Sequence, residues 1–419
     1  MQTAITYLIA AKRCEIDELE KLNRICGLVR VVSELVQHLQ SERGISNLYL
    51  TSKDLNFSTR WEHCVDLTDC AKDKVQAWLS SVDPISGMTG GSRLFTRIAV
   101  VLHGLEQLPL VRASVQGRNA SPAQLTERYS HLISSLLALV FDAADISVDP
   151  EISRLLVALF NLMQGKEFVG RERALGTRIF ASNHLGKDDL KILSDLIELQ
   201  EQCFDRFESF CGESILTQWH ALQTIMPLAD IERMRRKLFA PHLQADPGAA
   251  EIWFNYCSKR IDDIFIAEQH LTESLQQSSQ IRVKRTQLEL NDQQSLLAAL
   301  SKQDSVIPGT VLVSGLDHIP HIESLGLESL GSPLARDIFE LLQKQTLHLQ
   351  SVSQELATVK AALDERKLIE RAKGVLMSHQ ALSEDAAYRL LRDKAMNQNR
   401  RLVEVAESVL SMADFLPKS

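Results

Sequence analysis

The sequence predicts an all-α protein, and three observations carry that expectation. A stripe at alternating spacings of four and three runs through Val32, Val36, Leu39, Arg43, Ser46 and Leu50, the face a helix turns toward a partner. Aromatic content is only 5%, while Leu, Ala, Glu and Gln, all good helix formers, are abundant. Turn-forming residues are gathered into short pieces: "VDPISGMTGGS" (82–92), "QGRNASPAQ" (116–124), "SVDPE" (147–151) and "HLQADPGAA" (242–250). With 45% apolar and 24% charged residues the 419-residue chain is globular in balance and suits two or three domains.

Taken in order, the pattern predicts helices near 3–23, 26–52, 58–81, 93–107, 122–145, 150–182, 187–223, 228–238 and 248–300. Ser121-Pro122 and Asp149-Pro150 read as helix starts, with Pro at the first helical position. Long antiparallel helices joined this way predict one or two four-helix bundles over 1–300. The stretch 301–335, "SKQDSVIPGTVLVSGLDHIPHIESLGLESLGSPLA", is rich in Gly and Pro and reads as a linker. Leu342, Leu349, Leu356 and Leu363 then recur every seven residues, with Val352 and Val359 between them and Gln345 as a polar break. This is a short coiled-coil seam over 336–360. It serves a homodimer, or one helix packing on its own bundle. Three helices close the chain over 361–419. The first runs to about Ser378, the second starts at Ser383 as N-cap, and the third turns Leu402, Val405, Ala406, Val409 and Leu410 inward.

Charge and motifs narrow the function. A net charge of −8 argues against a bulk polyanion binder. The last 59 residues nevertheless carry ten basic groups against nine acidic ones, clustered as Arg366, Lys367, Arg371 and Lys373, then Arg389, Arg392 and Lys394, then Arg400 and Arg401. They form either a solvated face or a local nucleic-acid patch. Seven cysteines without a C-x-x-C fit a reduced cytoplasm. Lys12, Arg13, Glu15 and Asp17 spoil a signal peptide, and no apolar run approaches a membrane span, so no membrane is expected. There is no P-loop, no G-x-G-x-x-G after a strand and no H-E-x-x-H. His318 and His321 lie in the linker without further ligands. Neither an enzyme nor a metal or cofactor is expected.

Two arginines stand out. Arg43 lies in the middle of the first stripe, followed by Gly44. Leu155, Leu159, Leu162, Lys166, Val169, Arg173 and Gly176 form a second core stripe with two cations in it, thinned by Gly165, Gly170 and Gly176. A buried guanidinium is costly unless an anion meets it. Two readings are open: each arginine pairs with a Glu of a neighbouring helix, or both face a small anion between helices. Arg236, in "IERMRRKLFA", is a third arm or a surface charge.

Resemblance adds to this. "ALDERKLIERAKGVLM" followed by "LSEDAAYRLLRDKAMNQNRRLVEVA" resembles the ANTAR domain of transcription antiterminators over about 50 residues. That implies binding of stem-loop leader mRNA, with RNA polymerase affected indirectly. It implies Arg366, Lys373, Arg392 and Arg400 as RNA contacts, with Tyr388 stacking on a base or lying in the core. "LQSERGISNLYL" and "KEFVGRERALG", in that order, resemble the NIT domain, an all-helical nitrate- and nitrite-sensing module, over roughly 30–270. The two modules in this order are similar to the nitrate-responsive antiterminators. The resemblance implies nitrate or nitrite as ligand, held by Arg43, Arg173 and Arg236, and an ANTAR domain that it releases or activates. A guanidinium fork matches two oxygens of planar nitrate, which suits that assignment. A ligand-responsive DNA-binding regulator is the alternative, because a basic three-helix end also fits duplex DNA.

Overall fold

The computed structural model describes residues 4–51, 56–81, 91–182, 184–186, 188–240, 248–301, 333–380, 382, 384–398 and 400–413. Among them every regular element is a helix: α1 (Ala4–Thr51), α2 (Asn56–Ser81), α3 (Gly91–Glu106), α4 (Leu108–Gln116), α5 (Pro122–Ile146), α6 (Pro150–Ser182), α7 (Asp189–Phe210), α8 (Glu213–Ile225), α9 (Leu228–Leu238), α10 (Ala249–Ser301), α11 (Pro333–Gln380), α12 (Glu384–Gln398) and α13 (Leu402–Ala413). The all-α expectation holds.

The helix starts foreseen at the two X-Pro pairs are present. Ser121 Oγ accepts from the Gln124 amide at 3.3 Å, and Asp149 Oδ1 accepts from the Ile152 amide at 3.0 Å. Other boundaries differ. α1 does not break near residue 25, because Leu22, Ile25, Cys26, Leu28 and Val29 are all buried and packing carries the helix through Gly27. The segment 187–223 does break, at Cys211–Gly212, where both residues are extended. Trp219 of α8 then folds back onto Phe204 and Phe207 of α7 (ring centroids 5.6 and 5.3 Å) and donates to Glu208 at 2.7 Å. α4 escaped the sequence reading. It is nine residues long, buries Leu108, Val111 and Val115, and tolerates Pro109 in its first turn.

The chain divides into two compact units, Met1–His348 and Leu349–Ser419. In the first, α1 packs on α2, α4 and α5, with α3 on α5. α6 packs on α7 and α10, with α8 and α9 on α10. The two groups meet where α1 touches α6 and α10 and where α5 touches α6. Two stretches, Ser92–Gln116 and Pro122–Ile146, have the length and composition to cross a membrane, a test that a buried core helix also passes. The second is α5, which spends its apolar surface on α1, α3 and α6.

The second unit has its own core, with Ala372 and Leu376 of α11, Ala387, Leu391 and Ala395 of α12, and Val405 and Ala406 of α13. Along the heptad stripe Val359 and Leu363 are buried, Val352 and Leu356 are half-buried, and Leu349 is exposed. Most of the expected linker (302–332), Ser383, and the side chain of Leu342 lie outside the described residues.

Candidate functional site

Both sequence-predicted arginines of the core stripes point into the seam between the two helix groups. Arg43 is 1% exposed and Arg173 is 3% exposed. Glycines make the room. A Cβ on Gly44 would sit 2.8 Å from Cζ of Arg173, and one on Gly170 would sit 2.6 Å from Nη2 of Arg43. Each arginine therefore lies against a bare patch of the opposite helix. Gly176 has another role, since Trp253 of α10 fills its space and donates to the Arg173 carbonyl at 3.1 Å.

The two guanidinium groups differ in what meets them. Arg43 grips Glu167 of α6 with both arms, Nη1 to Oε1 at 2.5 Å and Nη2 to Oε2 at 3.0 Å. Its Nη1 also reaches Ser130 Oγ of α5 at 2.8 Å. Glu167 is held further by Gln40 Nε2 at 2.9 Å. Arg173 donates to Ser258 Oγ of α10 and to the Gln40 carbonyl, both at 2.8 Å, and lies over the Phe254 ring at 4.7 Å. Among the described residues it pairs with no carboxylate. Burial, and then the like charge of Arg43, push its pKa down to about 10. So the pairing reading describes Arg43, while Arg173 feels Asp262 and Glu167 only through space and, among the described residues, is hydrogen-bonded to no carboxylate.

The acids around it are engaged elsewhere: Asp262 of α10, whose charge acts on Arg173 through space, accepts from Gln37 at 3.0 Å. Lys166 and Glu268 pair at 2.8 Å, both wholly buried, with Gln37 and Ser33 completing the contacts. Burial lowers the Lys166 pKa and raises that of Glu268. The acid preceding each arginine is already taken. Glu42 accepts from Arg112 of α4 at 2.8 and 3.0 Å and from Tyr129 at 2.6 Å. Glu172 accepts from Arg235 of α9 at 2.7 and 2.8 Å and from Gln200. Each Glu-Arg pair thus sends its acid outward to an arginine of a short helix and its arginine into the seam.

Arg236 is not brought to this site. Its side chain is 80% exposed and meets Glu232 of its own helix at 3.5 Å. The inward arginine of α9 is Arg235, one position earlier, because Ile231, Met234 and Leu238 set the buried face. Sequence reading also missed Glu167, Ser130, Ser258 and Phe254, which lie on ordinary helical faces with no local signal.

In the second unit, Arg366 and Lys373 share Glu370 on α11, at 3.6 and 2.9 Å. Lys373 is buried. Arg400 is exposed beside Glu404 at 3.3 Å, and Arg401 reaches Glu365 of α11 at 2.5 Å. Arg392 and Tyr388 of α12 are half-buried.

Comparison with known proteins agrees with both halves. The family described as "Nitrate and nitrite sensing" matches residues 34–276, and the ANTAR domain matches residues 357–410. The chain is 30% identical over 409 residues to the nitrate regulatory protein of Klebsiella oxytoca, covering 97% of this chain and 95% of that one. Over 71 residues it is 34% identical to the transcriptional regulatory protein PdtaR of Mycobacterium tuberculosis, covering 17% of this chain and 35% of that one. The solved structure of the NasR transcription antiterminator matches with a TM-score of 0.62 at 29% identity, over 98% of this chain and 99% of that one.

Proposed function

Because the chain belongs to the nitrate and nitrite sensing family and carries an ANTAR domain after its sensor, we propose that it is a cytoplasmic, nitrate- or nitrite-responsive transcription antitermination regulator and not an enzyme. The anion binds in the seam between the helix groups, on Arg173 and Arg43. The observation that supports this most directly is Arg173, a buried guanidinium with no carboxylate partner among the described residues, beside a second guanidinium. A monovalent anion there removes an uncompensated charge. Planar nitrate can take two parallel N–H donors from one fork, and nitrite presents the same pair of oxygens.

Binding then acts on the ANTAR domain, which it releases or activates to bind stem-loop leader mRNA and so keep RNA polymerase from terminating. The exposed part of the heptad stripe, Leu349 with half-buried Val352 and Leu356, supports a homodimer through α11. Linkage requires reciprocity: if nitrate tightens RNA binding by some factor, RNA tightens nitrate binding by the same factor. The test is calorimetric titration of nitrate into the full chain and into Arg173→Ala, with leader-RNA and matching-duplex gel shifts with and without nitrate. Nitrate binding that survives Arg173→Ala unchanged overturns the site. A preference for duplex DNA overturns the RNA reading.

A further inference from the structure

Glu167 stands where a ligand oxygen pair would stand. Its two carboxylate oxygens accept the two Nη groups of Arg43 at 2.5 and 3.0 Å, side by side. That is the arrangement two oxygens of a planar anion make with a guanidinium fork. The two helices that carry the arginines differ at the position that supplies this carboxylate. Glu167 lies six residues before Arg173 on α6, and the residue six before Arg43 on α1 is Gln37. Each arginine takes a serine of a neighbouring helix at 2.8 Å, Ser130 for Arg43 and Ser258 for Arg173. The neutral Gln37 gives its side chain to Lys166 and Asp262 instead. Arg43 therefore has a hydrogen-bonded carboxylate, and among the described residues Arg173 has none.

We propose that Glu167 is a resident anion on Arg43 that nitrate displaces, so that it sets both the affinity of the sensor and its discrimination against monatomic anions. This rests on the reading of the seam as the nitrate site. Before binding, Glu167 is the one carboxylate hydrogen-bonded to either guanidinium among the described residues; binding adds a second anion to the pair. The displaced carboxylate keeps Gln40, which already donates to its Oε2 at 2.9 Å, and stays next in sequence to the cation of Lys166. Nitrate and nitrite replace both hydrogen bonds that Glu167 surrenders. Chloride offers a single centre in place of two oxygens, so it competes poorly with a bidentate carboxylate. The exchange also unfastens α1 from α6, since Arg43–Glu167 is a direct ionic tie between those two helices.

The experiment is nitrate titration of the full chain by calorimetry, in chloride-free and chloride-containing buffer, with wild type, Glu167→Gln, Glu167→Asp and Arg173→Ala. Removing the competitor should tighten nitrate by about tenfold or more, the scale of one charge-assisted hydrogen bond. Glu167→Asp, one methylene short of the fork, should tighten it less. In both variants chloride should become an effective competitor. If wild type binds and Arg173→Ala does not, while Glu167→Gln binds with unchanged or weaker affinity, the resident-anion role is overturned and the site stands. If wild type binds no nitrate, the site itself falls. If Glu167→Gln fails to fold, Glu167→Asp decides alone: unchanged nitrate affinity with no gain in chloride competition overturns the proposal.

Discussion

Replacing Arg173 by Met and, separately, Lys166 by Met should give opposite results, although both are buried cations two turns apart on α6. The Arg173 pKa is depressed to about 10, which means that holding its charge costs the fold about 3 kcal/mol relative to an exposed guanidinium. Met removes that cost and fills much of the same space. Against it stand two hydrogen bonds, to Ser258 and to the Gln40 carbonyl, at about 1 kcal/mol net each. The contact with Phe254 adds about 1 kcal/mol. The terms cancel, so ligand-free stability should change by about 1 kcal/mol or less. Lys166→Met leaves Glu268 wholly buried with Ser33 as its remaining partner. Breaking such a pair costs about 3–5 kcal/mol, a fall in melting temperature on the order of 10 °C. Thermal melting with and without saturating nitrate reads both effects. Arg173→Met should melt where wild type does and lose the nitrate-induced rise, which follows from binding to the folded state alone. If Arg173→Met is as destabilising as Lys166→Met, Arg173 is a satisfied structural cation and not an anion site.

Three further outcomes follow from the same geometry. Gly44→Ala gains about 1 kcal/mol of helix propensity but places a Cβ 2.8 Å from Cζ of Arg173 and 3.2 Å from Phe254; it should lower stability and weaken nitrate binding, whereas Gly374→Ala, with open space around it, should raise the melting temperature. Burial, aided by Lys74 and Lys166 against Glu34, holds the His38 pKa below its ordinary 6.5. The unfolded chain therefore binds the extra proton first, and stability should be flat above pH 6.5 and decline below it as pH falls toward the lower folded value; denaturant titrations of His38→Gln should show that decline reduced. For RNA, Arg366→Ala and Arg400→Ala should each reduce the salt slope of binding by about 0.7, one phosphate contact. Lys373→Ala should instead lower the melting temperature, because that lysine is tucked against Glu370; unchanged slopes in both arginine variants would refute the contact assignment.

Periodicity and composition were enough to read helices, because a helix repeats its burial every three to four residues and the chain writes that repeat locally. Gly and Pro located most of the breaks, and the placement of Arg43 and Arg173 on core stripes was legible for the same reason. Three-dimensional facts were not. Whether a long helix continues past residue 25 depended on what covers Ile25 and Leu28. The choice of Arg235 over Arg236 depended on which face of α9 lies on α10, a rotation of about 100° per residue that neighbouring basic side chains do not reveal. Above all, the sequence could place two arginines inward but could not say which had an anion. Glu167, Ser130 and Ser258 come from three different helices, and 124 residues separate Arg43 from its carboxylate. Only tertiary packing decides that Glu167 reaches Arg43 and that, among the described residues, no carboxylate is hydrogen-bonded to Arg173. Hydrogen bonds and ion pairs act over about 3 Å, and distances of that order between remote segments are set by tertiary packing alone.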